Sequence, residues 1–310
     1  MLQADSSLAN DGMTRTKLFH SQAEVTIHLP LDVGDYTDFF ASEDHMINAA
    51  TIFVGSRDNA MLLNWSHVPM AYHGRSSTII VSRYAIARPV GQTRPGSSSD
   101  GIPCFGPTSQ FDYELEVGYV IGGLANARGE PISLSRARDR IFGALILFCL
   151  EHFSAREIQA WESYPLGPFL GKNFATTISA WVVQAEALGL ATFSCEPQAP
   201  APLPYLQERE PTTWDLEVVA KVRGAEEAWT RTSVSNLKTL RWTAIQMITH
   251  HSVGGCCLRP GDLLGTGTIS GNTVESLGCL LERTRGGTET WSLKHGQKRT
   301  WLEDGDLRKC

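Results

Sequence analysis

The sequence predicts a mainly β protein with short helices. Three observations lead there: six stretches of strand-like composition spread between residues 25 and 222, loops rich in Gly, Pro and Ser between them, and only two helix signals.

The first stretch, residues 25–29 (Val-Thr-Ile-His-Leu), alternates in polarity and stops at Pro30, which cannot donate to a ladder. Residues 77–82, 113–121, 142–150, 181–184 and 215–222 follow, each rich in β-branched or aromatic side chains. Residues 91–101 and the proline-dense 196–204 read as loops, the second as a surface excursion because similar composition continues on both sides. Ser154-Ala-Arg-Glu157 matches a capping box, which predicts a short helix from Ser154 carrying Gln159 and Trp161. Residues 236–251 space Leu237, Leu240, Ala244, Met247 and Ile248 at near-helical intervals and end at Gly254-Gly255. Residues 1–16 are polar and patternless, so a disordered segment is expected there, followed by one domain over 17–310.

Bulk properties narrow the function. With 310 residues, 42% hydrophobic and 19% charged, the chain can bury a substantial core. A formal charge of −6 gives no general attraction to nucleic acid or anionic membrane. The longest apolar run, 144–150, is far too short to cross a bilayer, and the N-terminus lacks the apolar core of a secretory signal. Seven cysteines, odd in number and without paired metal-ligand spacing, predict reduced thiols and a cytoplasmic setting. The vicinal Cys256-Cys257 pair is expected to be unbridged. Dinucleotide, P-loop and Gly-x-Ser-x-Gly signatures are absent.

Four local features can carry chemistry, and each has a plainer reading. The Gly34–Asp38 segment reads as a turn presenting Asp38, with His45 beyond it as a candidate base; loop polar residues would look the same. Glu114 and Glu116 share one strand face, an arrangement that needs a cation or proton if buried and is otherwise a solvated edge. Arg156, Gln159 and Lys172 flank a Gly/Pro-dense loop that ends at Thr176 and Thr177, either an oxyanion group or a packed loop with a surface lysine. Gly265-Thr-Gly-Thr268-Ile-Ser-Gly271, with Glu282 further on, lets backbone amides approach an anion, or simply makes a tight turn.

In this order the pieces resemble the catalytic domain of the fumarylacetoacetase family. The matching stretches are HLPLDVGDYTDFF, VPMAYHGRSS, DYELEVGYVIGG, SAREIQAWESYPLGPFLGKNFATT, PLPYL, THHSVGGCCLRPGDLLGTGTISG and LEDGD, collinear over residues 18–306. The resemblance implies a mixed β-sandwich roll, a homodimer, and hydrolysis of a carbon–carbon bond in fumarylacetoacetate, a β-diketo acid of tyrosine breakdown. It further implies a divalent metal, Mg²⁺ or Ca²⁺, holding the diketone oxygens while a His–Glu pair activates water.

Carried over by position, the resemblance assigns His45 as general base and Glu282 as the acid that orients it. Arg156, Gln159 and Lys172 form the charge-stabilising group. Asp38, Glu114, Glu116, Lys172 and Thr176 surround the metal, and Phe40, Tyr72, Gln159, Tyr164 and Thr268 line the substrate pocket. Departures are visible too. The fourth metal carboxylate falls on His152, with Glu151 adjacent as the alternative, and a histidine there favours Mn²⁺, Fe²⁺ or Zn²⁺. Phe40 lacks a hydroxyl that the family carries, the pocket arginine falls on Val54 with Arg57 nearby, and a substrate tyrosine falls on Ser163 beside Tyr164. The family's small N-terminal domain and its last strands have no counterpart in the sequence. Cleavage or decarboxylation of another diketone, or a paralogue without turnover, are the alternatives these departures raise.

Overall fold

Alternation along residues 111–121 organises the molecule. Phe111, Tyr113, Leu115, Val117, Tyr119 and Ile121 enter the main hydrophobic core. Asp112, Glu114 and Glu116 alternate with them and are equally buried, so a strand with two inward faces carries apolar groups on one and carboxylates on the other. The protein is seen in a computed structural model, which describes residues 11–21, 24–56, 62–82, 84–94, 101–225 and 228–309. The side chains of Val54, of residues 143–152 and of Lys309 lie outside the described set.

In chain order the first strands are β1 (Tyr36–Phe39), β2 (Ala71–Gly74), β3 (Ile79–Val81), β4 (Val90–Thr93), β5 (Cys104–Pro107), β6 (Phe111–Ile121), β7 (Ile141–Ala155), β8 (Thr176–Ile178) and β9 (Val183–Gln184). After them come β10 (Thr192–Ser194), β11 (Thr212–Trp214), β12 (Glu217–Arg223), β13 (Thr230–Asn236), β14 (Leu263–Gly265), β15 (Trp291–Ser292), β16 (Lys298–Arg299) and β17 (Leu307–Lys309). Eight of these form one mixed sheet in the order β2-β1-β14-β6-β7-β8-β3, with β9 joined to β7. β1 runs parallel to β14, and β3 to β8. A second sheet, β13-β12-β17, sends Val218, Ala220 and Val222 into the core shared with Leu115 and Tyr119. The helix Ala244–Val253 adds Ile245, Met247 and Ile248 to it. The predicted class, mainly β with short helices, is the one observed.

Several elements differ from the sequence reading, each for a local reason. Residues 25–29 form no strand: Val25 and Leu29 stay exposed, and no ladder partner among the described residues meets them. The expected loop at 91–101 begins as strand β4, paired with β5, while residues 95–100 lie outside the described set. The strand predicted from 77 starts later, because Ser76–Thr78 is a 3₁₀ turn leading into β3.

The capping box at Ser154 does not form. β7 continues through Ala155, the helix spans Arg156–Glu162, and the Ser154 hydroxyl donates to Glu114 instead. The later helix starts at Ala244, where Thr243 and Gln246 make a capping box; Leu237 and Leu240 are buried from a 3₁₀ turn before it. At the N-terminus residues 1–10 lie outside the described set, and Gly12–Leu18 is a helix that buries none of its residues.

Candidate active site

Two arrangements of buried acidic groups, both tied to strand β6, build the site. The first centres on Asp38 and Glu116. Asp38 belongs to strand β1 rather than to a turn, and β1 pairs with β14 while β14 pairs with β6, which brings the two carboxylates together across Gly265. A Cβ built on Gly265 would stand 3.1 Å from both Asp38 Oδ1 and Glu116 Oε2, and 3.0 Å from the Tyr36 hydroxyl oxygen. Tyr72 donates to Asp38 Oδ2 at 2.6 Å. Asp38 Oδ1 and both Glu116 oxygens are buried with no hydrogen-bond partner among the described residues.

Burial, then the charges of Asp38 and Glu114, push the Glu116 carboxyl well above the ordinary carboxylate range. Burial raises Asp38 as well, against the pull of Lys172 and Tyr72. Buried oxygens without donors, held around a cradle that only glycine leaves open, fit a hard divalent cation. Glu114 is differently placed. Its Oε1 receives Ser154, Lys172 and, at 3.2 Å, Arg156 Nη1, while Thr268 donates to Oε2.

The second arrangement is the pair His45–Glu282. Ser42 caps the helix Glu43–Val54 by accepting from the His45 amide, and Gly55 ends that helix in the left-handed region at φ +78°. His45 and Asn48 lie one turn apart on it, so both reach Glu282: Nδ1 stands 2.9 Å from Oε2, and Asn48 Nδ2 donates to Oε1 at 2.9 Å. Ser270 donates to Oε2 at 2.7 Å. Burial alone would raise the Glu282 carboxyl; His45, Asn48 and Ser270 overcome it and draw the group down to about 2. The Phe40 and His45 rings stand nearly perpendicular, at 86°, with centroids 5.3 Å apart, which restricts how the imidazole can turn.

Asp112 joins the two arrangements. It is fully buried, accepts the backbone amides of Leu280 and Leu281 at 2.8 and 2.9 Å, and accepts Arg156 Nε at 2.8 Å. One carboxylate thereby fixes both the short helix Leu280–Arg283, which carries Glu282, and the Arg156 guanidinium.

The family described as fumarylacetoacetate (FAA) hydrolase C-terminal matches residues 36–310. The chain belongs to that family. It is a hydrolase by that membership. It is 47% identical to the fumarylacetoacetase of Rattus norvegicus over 305 residues, covering 98% of this chain and 71% of that one. Identity to the fumarylacetoacetase of Arabidopsis thaliana is 48% over 303 residues, covering 96% and 69%. Among solved structures, a probable 2-hydroxyhepta-2,4-diene-1,7-dioate isomerase from Mycobacterium abscessus superposes with a TM-score of 0.50 at 14% identity, over 94% of this chain and 77% of that one. At that identity the likeness is one of fold.

Most residues singled out by the family resemblance converge. Asp38, Glu114, Glu116, Arg156, Lys172, Thr176, Thr268, His45 and Glu282 are all buried, and Lys172 is a buried group rather than a surface lysine. Gln159 is half-buried and accepts from Arg156 at 3.3 Å. Tyr164 is 92% exposed on a loop, and Ser163 turns its hydroxyl to the Gln159 carbonyl.

The His152 backbone stands opposite Glu114 and Thr176 in register, but its side chain, like those of Glu151 and Val54, lies outside the described set, as does all of Arg57. The glycine string 265–271 serves close backbone packing: a Cβ on Gly267, at φ +72°, would meet the Phe39 carbonyl oxygen at 2.1 Å, and the amides of Thr266 and Ile269 are spent on Val117 and Leu115. Sequence reasoning missed Tyr36, Asn48, Asp112 and Ser270. For Tyr36 a signal existed, since it shares a strand face with Asp38. The five described cysteines are free, Cys256 and Cys257 among them.

Proposed function

We propose that this chain cleaves a carbon–carbon bond of fumarylacetoacetate, or of a closely similar β-diketo acid, with water as the second substrate. The observation that carries the reading is the buried His45–Glu282 pair, whose short helix Asp112 ties to the strand that carries Glu116. Asp38 and Glu116 would hold a hard divalent cation, Mg²⁺ or Ca²⁺, with Glu114, Thr176 and position 152 around it. Bound there, the ion supplies Lewis acidity toward the diketone oxygens.

The chain's own residues supply the rest. Glu282 faces Nδ1, so Nε2 is the nitrogen left to take a proton from water attacking a carbonyl carbon. The hydroxyl of that water stays on the acyl product, and the departing carbon receives a proton, giving fumarate and acetoacetate. Lys172 and Arg156, both buried, would place positive charge beside the developing oxyanion, away from bulk water, where such donors act most strongly. Tyr72, His73, Phe169 and Lys172 line a cleft leading in from the surface.

A homodimer in the cytoplasm accompanies this reading. Among the described residues no helix is long and apolar enough to cross a membrane. The deciding experiment strips the purified chain of metal, restores Mg²⁺, Ca²⁺ or Mn²⁺, and follows loss of diketone absorbance with fumarylacetoacetate. Turnover that depends on the restored ion is expected; none with any of the three overturns the proposal.

A further inference from the structure

Beside the His45–Glu282 pair sits a side chain to which the reaction assigns no task. Cys279 is 1% exposed, and its backbone bridges to Glu114 of β6. Its Sγ lies 3.1 Å from Glu282 Oε2, the same oxygen that His45 Nδ1 approaches at 2.9 Å. One nitrogen, one sulfur and one oxygen thus sit within 4.8 Å of one another, all on buried residues. Among the described residues no other three His, Cys, Asp or Glu ligand atoms close to that separation, the Asp38, Glu114 and Glu116 carboxylates included.

The donor types separate the two places. Asp38 and Glu116 offer only oxygen, which suits hard ions. An imidazole, a thiol and a carboxylate together suit a borderline-soft, four-coordinate ion. Bonds of about 2.3 Å to sulfur and about 2.0–2.1 Å to nitrogen set neighbouring ligand atoms of a tetrahedral ion roughly 3–4 Å apart; the sulfur–oxygen and nitrogen–oxygen separations here are 3.1 and 2.9 Å. Asn48 on Oε1 and Ser270 on Oε2 already orient the carboxylate, as outer-shell partners do at metal sites.

We propose that His45, Cys279 and Glu282 form a second, soft-metal site, and that Zn²⁺ bound there inhibits the enzyme by occupying the groups that activate water. The inhibitory half rests on the function proposed above; the binding half does not. Loading breaks the S–H bond, releases that proton to solvent, and uses the sulfur electron pair for the bond to the metal, with no change of oxidation state. His45 ligates through Nδ1, which requires its ring proton on Nε2.

The experiment adds Co²⁺, a spectroscopic stand-in for Zn²⁺, to the folded full chain with Mg²⁺ in excess to fill the oxygen-lined pocket. A near-ultraviolet thiolate-to-Co²⁺ absorption is expected, discharged by Zn²⁺, retained when Cys256→Ser and Cys257→Ser are combined, and lost in Cys279→Ser. Zn²⁺ should also inhibit turnover, with an inhibition constant at least about tenfold weaker in Cys279→Ser, each protein being compared with its own zinc-free rate.

No absorption at saturating Co²⁺, or one that persists in Cys279→Ser, overturns the site. Absorption without zinc inhibition overturns the inhibitory half. Absorption in a protein that turns over no substrate refutes the function proposal and leaves the site standing. Should circular dichroism show that Cys279→Ser does not fold, Cys279→Ala serves in its place.

Discussion

The Asp38–Glu116 pocket and the Glu282 site bury the same functional group and treat it in opposite ways. Around Glu282 the chain supplies His45, Asn48 and Ser270, so an ionised carboxylate is stable without help. Around Glu116 it supplies another carboxylate and leaves both oxygens without donors. The same burial therefore yields a carboxyl drawn down to about 2 in one place and one pushed well up in the other. A pre-paired carboxylate can hold and orient a base, whereas an unpaired one holds free energy that a cation releases on binding.

Three changes would break or sharpen that contrast. The largest effect is expected from Glu282→Gln, which keeps the shape and removes the charge that holds His45. Turnover should fall by about 10²–10⁴-fold with little change in KM. A rise in KM with kcat unchanged would mean that Glu282 binds substrate rather than orienting the base.

Next comes Glu116→Gln. Replacing a strained buried carboxylate by a neutral amide should raise the melting temperature of the metal-free protein by about 2–4 °C. The same change should abolish the stabilisation that Mg²⁺ or Ca²⁺ gives the unaltered chain. A metal-free variant no more stable than the parent would show that the Asp38–Glu116 repulsion is relieved in some other way.

The smallest effect is in acid. The folded-state value for Glu282 lies below its unfolded value, so its contribution to stability is fully present above about pH 4.5 and is lost as pH falls towards about 2. Unfolding free energies of the parent and Glu282→Gln, measured from pH 6 down to 2, should converge over that window. A constant difference would contradict the pairing.

Legibility from sequence followed the same divide. The fold class, the long strand through Glu114 and Glu116, and the shared face of the two glutamates were readable because strand alternation is a local signal; that this face is buried was not. Asp38, His45 and Lys172 were local candidates with plainer readings, and only the family resemblance gave them roles, since a turn aspartate, a lone histidine and a loop lysine look ordinary until distant strands collect them. Asp112 and Asn48 were not legible at all: their partners lie 168 and 234 residues away, so no local pattern marks them. The false capping box at Ser154 shows the converse. Its serine does make a side-chain hydrogen bond, but to a carboxylate 40 residues away that competes better than the helix end.

Gly265 carries a consequence of a different kind. Its lack of a side chain is as much part of the proposed cation pocket as the oxygens around it, because a Cβ there would stand 3.1 Å from the Asp38 and Glu116 oxygens, where the ion would sit. The substitution adds no charge and removes no ligand, and the pairing of β14 with β1 and β6 uses only backbone. A descendant of this chain can therefore lose metal dependence while every acidic ligand remains in its sequence. In such a lineage the change of chemistry would be recorded by the smallest residue in the pocket and missed by a reading confined to the acidic ones.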